Sequence, residues 1–339
     1  MVDARPAVAD LVAGDPSGVV FGRSATQLAY DFSRMLSASW MPGDEVVVTR
    51  LDHDSNVRPW VQAAERAGAT IRWIDFDPAT SELDLDQLAG ALSDRTRLVA
   101  VTAASNLIGT MPPVAEISRL AHKFGALVYV DGVHYTAHES VDVGALGADF
   151  YTCSPYKFLG PHLGILVADP VLLEGLRPDK LLPSTNDVPE RFEFGTLPYE
   201  YLAAVTAAVG YLAELSGSTA STRRERLVDS YAALGVHEAA LRSRLEAGIA
   251  DLPGVTVHSR AEHRTPTMLI SFEGREASDA YLHLAKAKVA APASNFYALE
   301  ASRHLGLGDA GGLRVGLAPY TSAEEVDRLV AGLRGFLSS

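Results

Sequence analysis

The chain has almost no cysteine, no long apolar segment and no excess of positive charge. Cys153 is the single cysteine among 339 residues, which excludes an internal disulfide framework and a cysteine-based metal site. No apolar run approaches the roughly 20 residues of a membrane span, and the N-terminal segment, with Asp3 and Asp10, lacks a signal-peptide core. The formal net charge of −13 argues against non-specific binding to nucleic acid or anionic membranes. These absences predict a cytoplasmic globular protein without a metal, nucleic-acid or membrane partner.

Short β-branched segments alternate with helix-length segments in the first half of the chain. Several are continuously apolar, which is typical of a parallel sheet covered by helices on both faces. This alternation predicts an α/β fold with a mainly parallel, seven-stranded sheet. The last two strands are too close for a crossover helix, so the last should be antiparallel to its neighbour. The predicted strands are 18–21, 45–49, 70–75, 97–104, 126–132, 149–154 and 164–169, and the helices between them include 25–39, 57–67 and 113–124.

The pattern changes after residue 170. A long proline-bearing loop precedes helices predicted over 197–214 and 221–250, then short strands and a final helix from Ser322. A length of 339 residues is compatible with two domains. We therefore predict a large domain over 1–215 and a smaller α+β domain over 216–339.

Polar residues follow the predicted strands, at the sheet edge where open α/β folds bind ligands. "GRSATQ" opens a helix with Ser24 and Thr26, which suits either a phosphate or ordinary capping. His53 follows the second strand; it is either a solvated loop residue or a flat face for a cofactor ring. Asn106 follows the fourth strand, either as a turn residue or as a donor to a ring oxygen.

Two charged residues complete this set. Asp131 ends a nearly apolar strand, where a carboxylate is costly unless it is paired, and a pyridinium N–H would be a suitable partner. Lys157 lies in the loop "CSPYKFLGPHLG", three residues after Ser154, as either a solvated lysine or one that bonds a carbonyl cofactor. Together these residues offer a phosphate cradle, a ring platform, a carboxylate for a ring nitrogen and a lysine for an aldehyde, which is what pyridoxal 5′-phosphate needs.

The chain resembles the class V aminotransferase family of fold-type-I pyridoxal-phosphate enzymes, in its cysteine-desulfurase-like branch. The resemblance covers almost the whole chain, and it implies the three-layer transferase fold and pyridoxal 5′-phosphate as the cofactor. The segments that carry it are, in order, "VVFGRSAT", "TRLDHDSNVRPW", "ASNLIGTMPPV", "VYVDGVHY", "GADFYTCSPYKFLGPHLGIL", "FEFGT" and "LRVGLAPYTSAEEVDRL".

The resemblance also implies roles for individual residues. Lys157 is implied as the Schiff-base lysine, which is then freed to remove the substrate α-proton and give an α-carbanion. Asp131 is implied as the partner of the pyridine nitrogen, and His53 as the residue over the ring. Asn106 is implied on the phenolic oxygen or the substrate carboxylate, and Arg314 on the α-carboxylate, for which bidentate geometry is suited.

Further positions match the family around the ring and the phosphate. Thr196, in "FEFGT", matches a threonine that reaches the phosphate of the partner subunit, so the resemblance implies a homodimer with shared active sites. The positions that match around the ring and phosphate within the chain are Ala25, Thr26, His134 and Ser154.

The sequence departs from the family in three places. Tyr156 precedes the lysine where desulfurases usually have histidine, and the chain begins late, without the leading segment of its relatives. The stretch "VAAPASNFYALEASRHLG", where a desulfurase carries its nucleophilic cysteine, contains none. Cys153 is expected to be a buried strand residue that points away from the site if Ser154 points toward it.

We therefore predict an enzyme that uses pyridoxal phosphate on an α-amino acid, as an aminotransferase or a C–S lyase. A cysteine desulfurase, an amino-acid epimerase and a degenerate, non-catalytic partner subunit remain open as alternatives. A nucleotide-binding α/β protein is a weaker alternative, because "GRSAT" is not a glycine-rich phosphate loop.

Overall fold

A computed structural model describes residues 3–338. Within that range the first half of the chain forms a seven-stranded sheet in the order β1-β7-β6-β5-β4-β2-β3. β7 is antiparallel to both β6 and β1, whereas the other neighbouring pairs are parallel, which confirms the predicted mainly parallel sheet and its reversed last strand. The strands are β1 Val19–Gly22, β2 Glu45–Thr49, β3 Thr70–Ile74, β4 Thr96–Thr102, β5 Leu127–Asp131, β6 Phe150–Cys153 and β7 Gly164–Ala168.

Helices cover both faces of this sheet, so the predicted three-layer arrangement is confirmed. Alternate strand residues enter two separate hydrophobic clusters: Val47 and Val99 pack with α1, α5 and α8, while Val46 and Val48 pack with α2 and α3. Full burial of each such aliphatic side chain contributes about 1.5–3 kcal/mol. The helices of this half are α1 Ala4–Val12, α2 Ala25–Ser37, α3 Arg58–Ala67, α4 Leu85–Ala91, α5 Val114–His122, α6 Val143–Leu146, α7 Pro170–Glu174 and α8 Tyr199–Glu214.

The second half contains a four-stranded antiparallel sheet, in the order β10-β11-β9-β8, together with helices. A third hydrophobic cluster joins this sheet to α10 and α12. The α+β composition is as predicted, but β8, β10, α10 and α11 were not singled out from the sequence. The elements are α9 Arg223–Ile249, β8 Val255–Val257, β9 Met268–Phe272, α10 Ala277–Lys286, β10 Ala293–Ser294, α11 Leu299–His304, β11 Gly312–Val315 and α12 Ala323–Ser338.

The long helix α9 packs against both sheets' clusters. A capping box between Thr222 and Glu225 fixes its start. Leu227 and Leu234 pack in the cluster of the large sheet, whereas Leu241 packs in that of the small sheet. The domain boundary between residues 215 and 216 remains a prediction.

The N-terminus of α2 is held close to the sheet. A Cβ atom on Gly164 would lie 2.2 Å from the backbone carbon of Ser24, so a larger residue at this position would displace the start of the helix. Gly164 in β7 thereby fixes where the first N–H groups of α2 point. Across residues 3–338, no helix combines the length and apolar character needed to cross a bilayer.

Candidate active site

A cavity of about 310 Å³ lies where β2, β4, β5 and β6 end. Its wall combines residues that follow these strands, the start of α2, and residues from 294–297 and β11 of the small sheet. Nearly every site residue predicted from the sequence lines it; only Thr196 is absent. The predicted residues that it brings together are Ala25, Thr26, His53, Asn106, Asp131, His134, Ser154, Lys157 and Arg314.

Thr196 lies elsewhere on the same chain. It lines a separate groove together with Arg23, His162, Phe194 and Tyr201. The sequence-based role for this threonine involves the phosphate of a second subunit, so its place outside the cavity of its own chain is compatible with that role, which remains a prediction.

Lys157 lies in a single 3₁₀ turn, Pro155–Phe158, directly after β6. Its Nζ is 5.2 Å from the centre of the Tyr156 ring, and within residues 3–338 Nζ has neither a hydrogen bond nor an ion pair. Burial lowers the pKa of this amine, with a smaller contribution from the charge of Arg314, and Asp131 partly offsets both. A lower pKa increases the neutral fraction, which is the nucleophilic and basic form.

Asp131 is the last residue of β5 and is 6% exposed. The backbone N–H of Val133 donates to its Oδ1 over 2.9 Å. Burial raises the pKa of Asp131 to about 6, while the Val133 hydrogen bond and the charge of Lys157 act in the opposite direction. Because no lysine or arginine of the described chain forms an ion pair with it, this carboxylate is suited to a positively charged N–H from a ligand.

Asp52 is a second buried carboxyl close to this site, and sequence reasoning missed it. It accepts hydrogen bonds from the Thr49 hydroxyl and, over 2.7 Å, from Nδ2 of Asn56. Burial raises the pKa of Asp52 to about 8. The indole N–H of Trp60 donates to Asn56 over 3.1 Å, so this chain of contacts fixes the loop that carries His53.

His53 presents a neutral ring to the cavity. The backbone N–H of Ser55 donates to its Nδ1 over 3.1 Å, which leaves the proton on Nε2. Burial lowers the pKa of His53 to about 4, and the charge of Lys157 adds to this effect. An uncharged, flat ring held in this way is compatible with the predicted position over a cofactor ring.

Asn106 and Arg314 each have polar groups without a partner in the described chain. The Asn106 side chain donates from Nδ2 to the backbone oxygen of Phe296 over 2.9 Å, whereas its Oδ1 is buried and has no partner in the described chain. Arg314 donates from Nη1 to the backbone oxygen of Asn106 over 2.8 Å. Burial lowers its pKa to about 10, and no carboxylate within residues 3–338 pairs with it. Buried polar atoms normally have hydrogen-bond partners. Oδ1 of Asn106 is therefore suited to a donor group of a ligand, and Arg314 is suited to an anionic group.

The start of α2 offers a site for a phosphate. Ser24 caps the helix by accepting from the N–H of Gln27 over 3.1 Å. The N–H groups of Ala25 and Thr26 precede the first intrahelical bonds, and both residues line the cavity. The free N–H groups and the helix dipole favour an anion here.

His134 contacts two threonines from the half of the chain that contains the small sheet. Its Nε2 is 3.0 Å from the hydroxyl oxygens of both Thr265 and Thr267. Its ring meets His138 edge to face at 4.8 Å, and His138 in turn contacts Glu238 over 3.0 Å. Burial lowers the pKa of His134 well below its usual value, with His138 as the next cause, so His134 is neutral.

Cys153 is fully buried in the core of the large sheet, as expected from the alternation of side chains along β6. Burial raises its thiol pKa to about 12, so the nucleophilic thiolate is strongly disfavoured. The adjacent Ser154 faces the cavity instead. Among the described residues, no group of three histidine, cysteine or acidic side chains is placed to bind a metal.

Comparison with known proteins agrees with this geometry. The model of the family "Aminotransferase class-V" matches residues 1–329, and the chain belongs to this family, a group of pyridoxal-phosphate-dependent enzymes. It is 34% identical over 332 residues to an uncharacterised protein of Mycobacterium tuberculosis, covering 97% of this chain and 83% of that protein. It is 33% identical over 351 residues to a cysteine desulfurase of Dickeya dadantii, covering 98% and 80%.

A solved structure shows the same fold. The cysteine desulfurase CsdA of Escherichia coli superposes with a TM-score of 0.88 at 27% sequence identity, covering 99% of this chain and 83% of that chain. The family and the fold type inferred from the sequence are thereby confirmed.

Several residues of the cavity wall were not predicted as site residues. Tyr156 was noted only as a departure from the family, although its ring stacks on His162 and lies 5.2 Å from Nζ of Lys157. Phe296 and Tyr297 lie in the stretch that was noted for lacking a cysteine. The signal that could have found them was this position, since the stretch corresponds to the one in which a desulfurase carries its nucleophilic cysteine.

Proposed function

We propose that this protein binds pyridoxal 5′-phosphate and acts on an α-amino acid, as an aminotransferase or a C–S lyase. The observation that carries the proposal is that Lys157 and Asp131 face one cavity and neither has an ion-pair partner in the described chain. Asp131 is buried and Lys157 is half-buried. A purely structural role would require a partner for the carboxylate, because an unpaired buried charge is costly.

The polar groups of the cavity fit the parts of this cofactor. The phosphate is assigned to the start of α2 and Ser154, the ring nitrogen to Asp131, and the ring face to His53. The phenolic oxygen would lie near Asn106 and His134, and the carbonyl carbon near Lys157. When bound, pyridoxal phosphate withdraws electrons from the α-carbon of an attached amino acid.

The residues of the chain supply binding and proton transfer. Arg314 binds the α-carboxylate and so fixes the amino acid relative to Lys157. Lys157 accepts the α-proton at Nζ, for which its lowered pKa is suited. Return of a proton at another carbon gives transamination, return at the opposite face of the α-carbon gives racemisation, and loss of a leaving group from the β-carbon gives β-elimination, so the epimerase alternative stays open.

Replacing Arg314 by alanine should weaken amino-acid binding. A lost charge-assisted carboxylate interaction is expected to raise KM by roughly 10- to 100-fold, with bound cofactor retained. The measurement is KM together with the visible absorption of the loaded protein, and Arg314→Lys is the matched control, which keeps the charge but not the bidentate geometry. Release of cofactor from Arg314→Ala would show that the arginine serves the cofactor and not the substrate.

Cysteine should not be desulfurated through a protein persulfide, since the one thiol of the chain, Cys153, is buried. We expect sulfide from cysteine by β-elimination, with water consumed and pyruvate and ammonia as the other products. Alanine and protein-bound persulfide should be absent, and Cys153→Ser should behave as wild type. Alanine formation that disappears in Cys153→Ser would restore the desulfurase alternative.

Other features of the proposal rest on the sequence. A homodimer with Thr196 at the neighbouring phosphate and a cytoplasmic location are parts of this proposal that await solution experiments. The alternative of a non-catalytic partner subunit is opposed by the retention of both Lys157 and Asp131 in one cavity.

A further inference from the structure

The aromatic ring of Phe296 lies on the guanidinium group of Arg314. The guanidinium carbon is 3.8 Å from the ring centre, well within the distance at which an aromatic face attracts a cation. Both residues line the cavity. Arg314 has no carboxylate partner in the part of the chain that the structure describes. There, its guanidinium group makes one hydrogen bond, to a backbone oxygen, and one ring contact, to Phe296.

Asn106 holds both partners of this contact. Its backbone oxygen accepts from Nη1 of Arg314 over 2.8 Å, and its side-chain Nδ2 donates to the backbone oxygen of Phe296 over 2.9 Å. The three residues are far apart in the sequence and come from the loop after β4, the 294–297 segment and β11. The hydrogen bonds of Asn106 therefore fix the position of the Arg314 guanidinium relative to the backbone that carries the Phe296 ring.

The backbone at Phe296 and Tyr297 is in the left-handed region, with φ values of 51° and 60°. Residues other than glycine adopt this conformation rarely, and such residues persist where surrounding contacts determine them. Here the N–H of Phe296 donates to the Ser294 hydroxyl over 3.2 Å, and the N–H of Tyr297 donates to Oδ1 of Asn295 over 2.9 Å. The N–H of Asp54 donates to the Tyr297 oxygen over 2.7 Å. These contacts stabilise the turn that places the Phe296 ring over the arginine.

We propose that Phe296 is a positioning residue for Arg314. Its ring stabilises the half-buried cation at the cavity wall and leaves the N–H groups that do not bond to Asn106 available to a carboxylate. This inference rests on the proposed function, since it takes the α-carboxylate of an amino acid as the ligand of Arg314. It gives the stretch in which a desulfurase would carry its cysteine a different task, which is to position the arginine that binds the carboxylate.

The test compares three substitutions of Phe296 in the cofactor-loaded protein. Phe296→Ala removes the ring, Phe296→Leu keeps apolar volume without an aromatic face, and Phe296→Tyr keeps the face. We expect KM for the amino acid to rise roughly tenfold in the alanine and leucine variants, with kcat within about twofold of wild type and the tyrosine variant close to wild type. The dissociation constant of propionate, a carboxylate without an amino group, should rise by a similar factor, measured by ligand-observed NMR.

Three results would overturn the role of Phe296: an unchanged KM in Phe296→Ala, wild-type behaviour of Phe296→Leu, or a loss of kcat at constant KM. The first would remove the positioning role, the second would reduce the ring to apolar bulk, and the third would place the residue in the chemical step. Failure of the proposed function is distinct, because the wild-type protein would then give neither turnover nor a change in visible absorption with any amino acid.

Discussion

Lys157→Ala is expected to abolish covalent attachment of the cofactor and to slow exchange of the substrate α-proton by roughly 10²- to 10⁴-fold, the usual contribution of a general base. The fold should survive, because the amine makes no hydrogen bond in the described chain and its removal leaves no partner unsatisfied. Exchange is measured by NMR in deuterated water with the loaded protein.

The matched control for this experiment is Lys180→Ala. Lys180 is a solvent-side lysine whose Nζ donates to the backbone oxygen of Ser184 over 2.9 Å. It should keep both the visible absorption and wild-type exchange. Exchange at the wild-type rate in Lys157→Ala would mean that another group removes the α-proton.

Asp131→Asn is expected to retain cofactor and to lower kcat by about 100-fold or more, a typical loss for one preorganised electrostatic group. The amide keeps the size of the side chain and an oxygen for the Val133 N–H, but it cannot favour a protonated ring nitrogen. A neutral ring nitrogen withdraws electrons poorly from the substrate. The measurement is kcat together with the cofactor content of the purified variant.

Asp52→Asn is the control for this experiment. It tests whether removal of any buried carboxyl group near the site lowers kcat, or only removal of the one at Asp131. Asp52 is buried near Asp131 but does not line the cavity. Its substitution should change kcat far less than Asp131→Asn does. Near-normal turnover in Asp131→Asn would show that the ring nitrogen has a different partner.

The sequence was sufficient for the large sheet and for most of the cavity because both depend on local patterns. The segment "EVVVT" forms β2 over the predicted residues, since continuous β-branched residues suit a strand buried on both faces. The predicted strand 97–104 extends two residues beyond β4, because Ala103 and Ala104 remain buried after the ladder ends. Polar residues that follow parallel strands necessarily meet at one edge, so Asp131 and Lys157 could be placed together.

Contacts between distant parts of the chain could not be predicted in this way. Phe296 reaches Arg314 only through a left-handed turn whose hydrogen-bond partners include Asn106, 190 positions earlier in the chain. The high pKa of Asp52 arises from complete burial in three dimensions, and nothing in the letters "LDHDSN" distinguishes it from a solvated loop acid. The sequence of α9 also contains no proline or change of pattern between Leu234, which packs in the cluster of the large sheet, and Leu241, which packs in that of the small sheet.

Reductive trapping tests the central claim, the bond between the cofactor and Lys157, most directly. The protein is incubated with pyridoxal 5′-phosphate, reduced with borohydride, digested and analysed by mass spectrometry, with Lys157→Ala treated in parallel. We expect loss of the visible absorption and a phosphopyridoxyl group on Lys157, with no equivalent labelling in the variant. An unmodified Lys157, or labelling of surface lysines alone to the same extent in both proteins, would contradict the assignment of this cavity to pyridoxal phosphate.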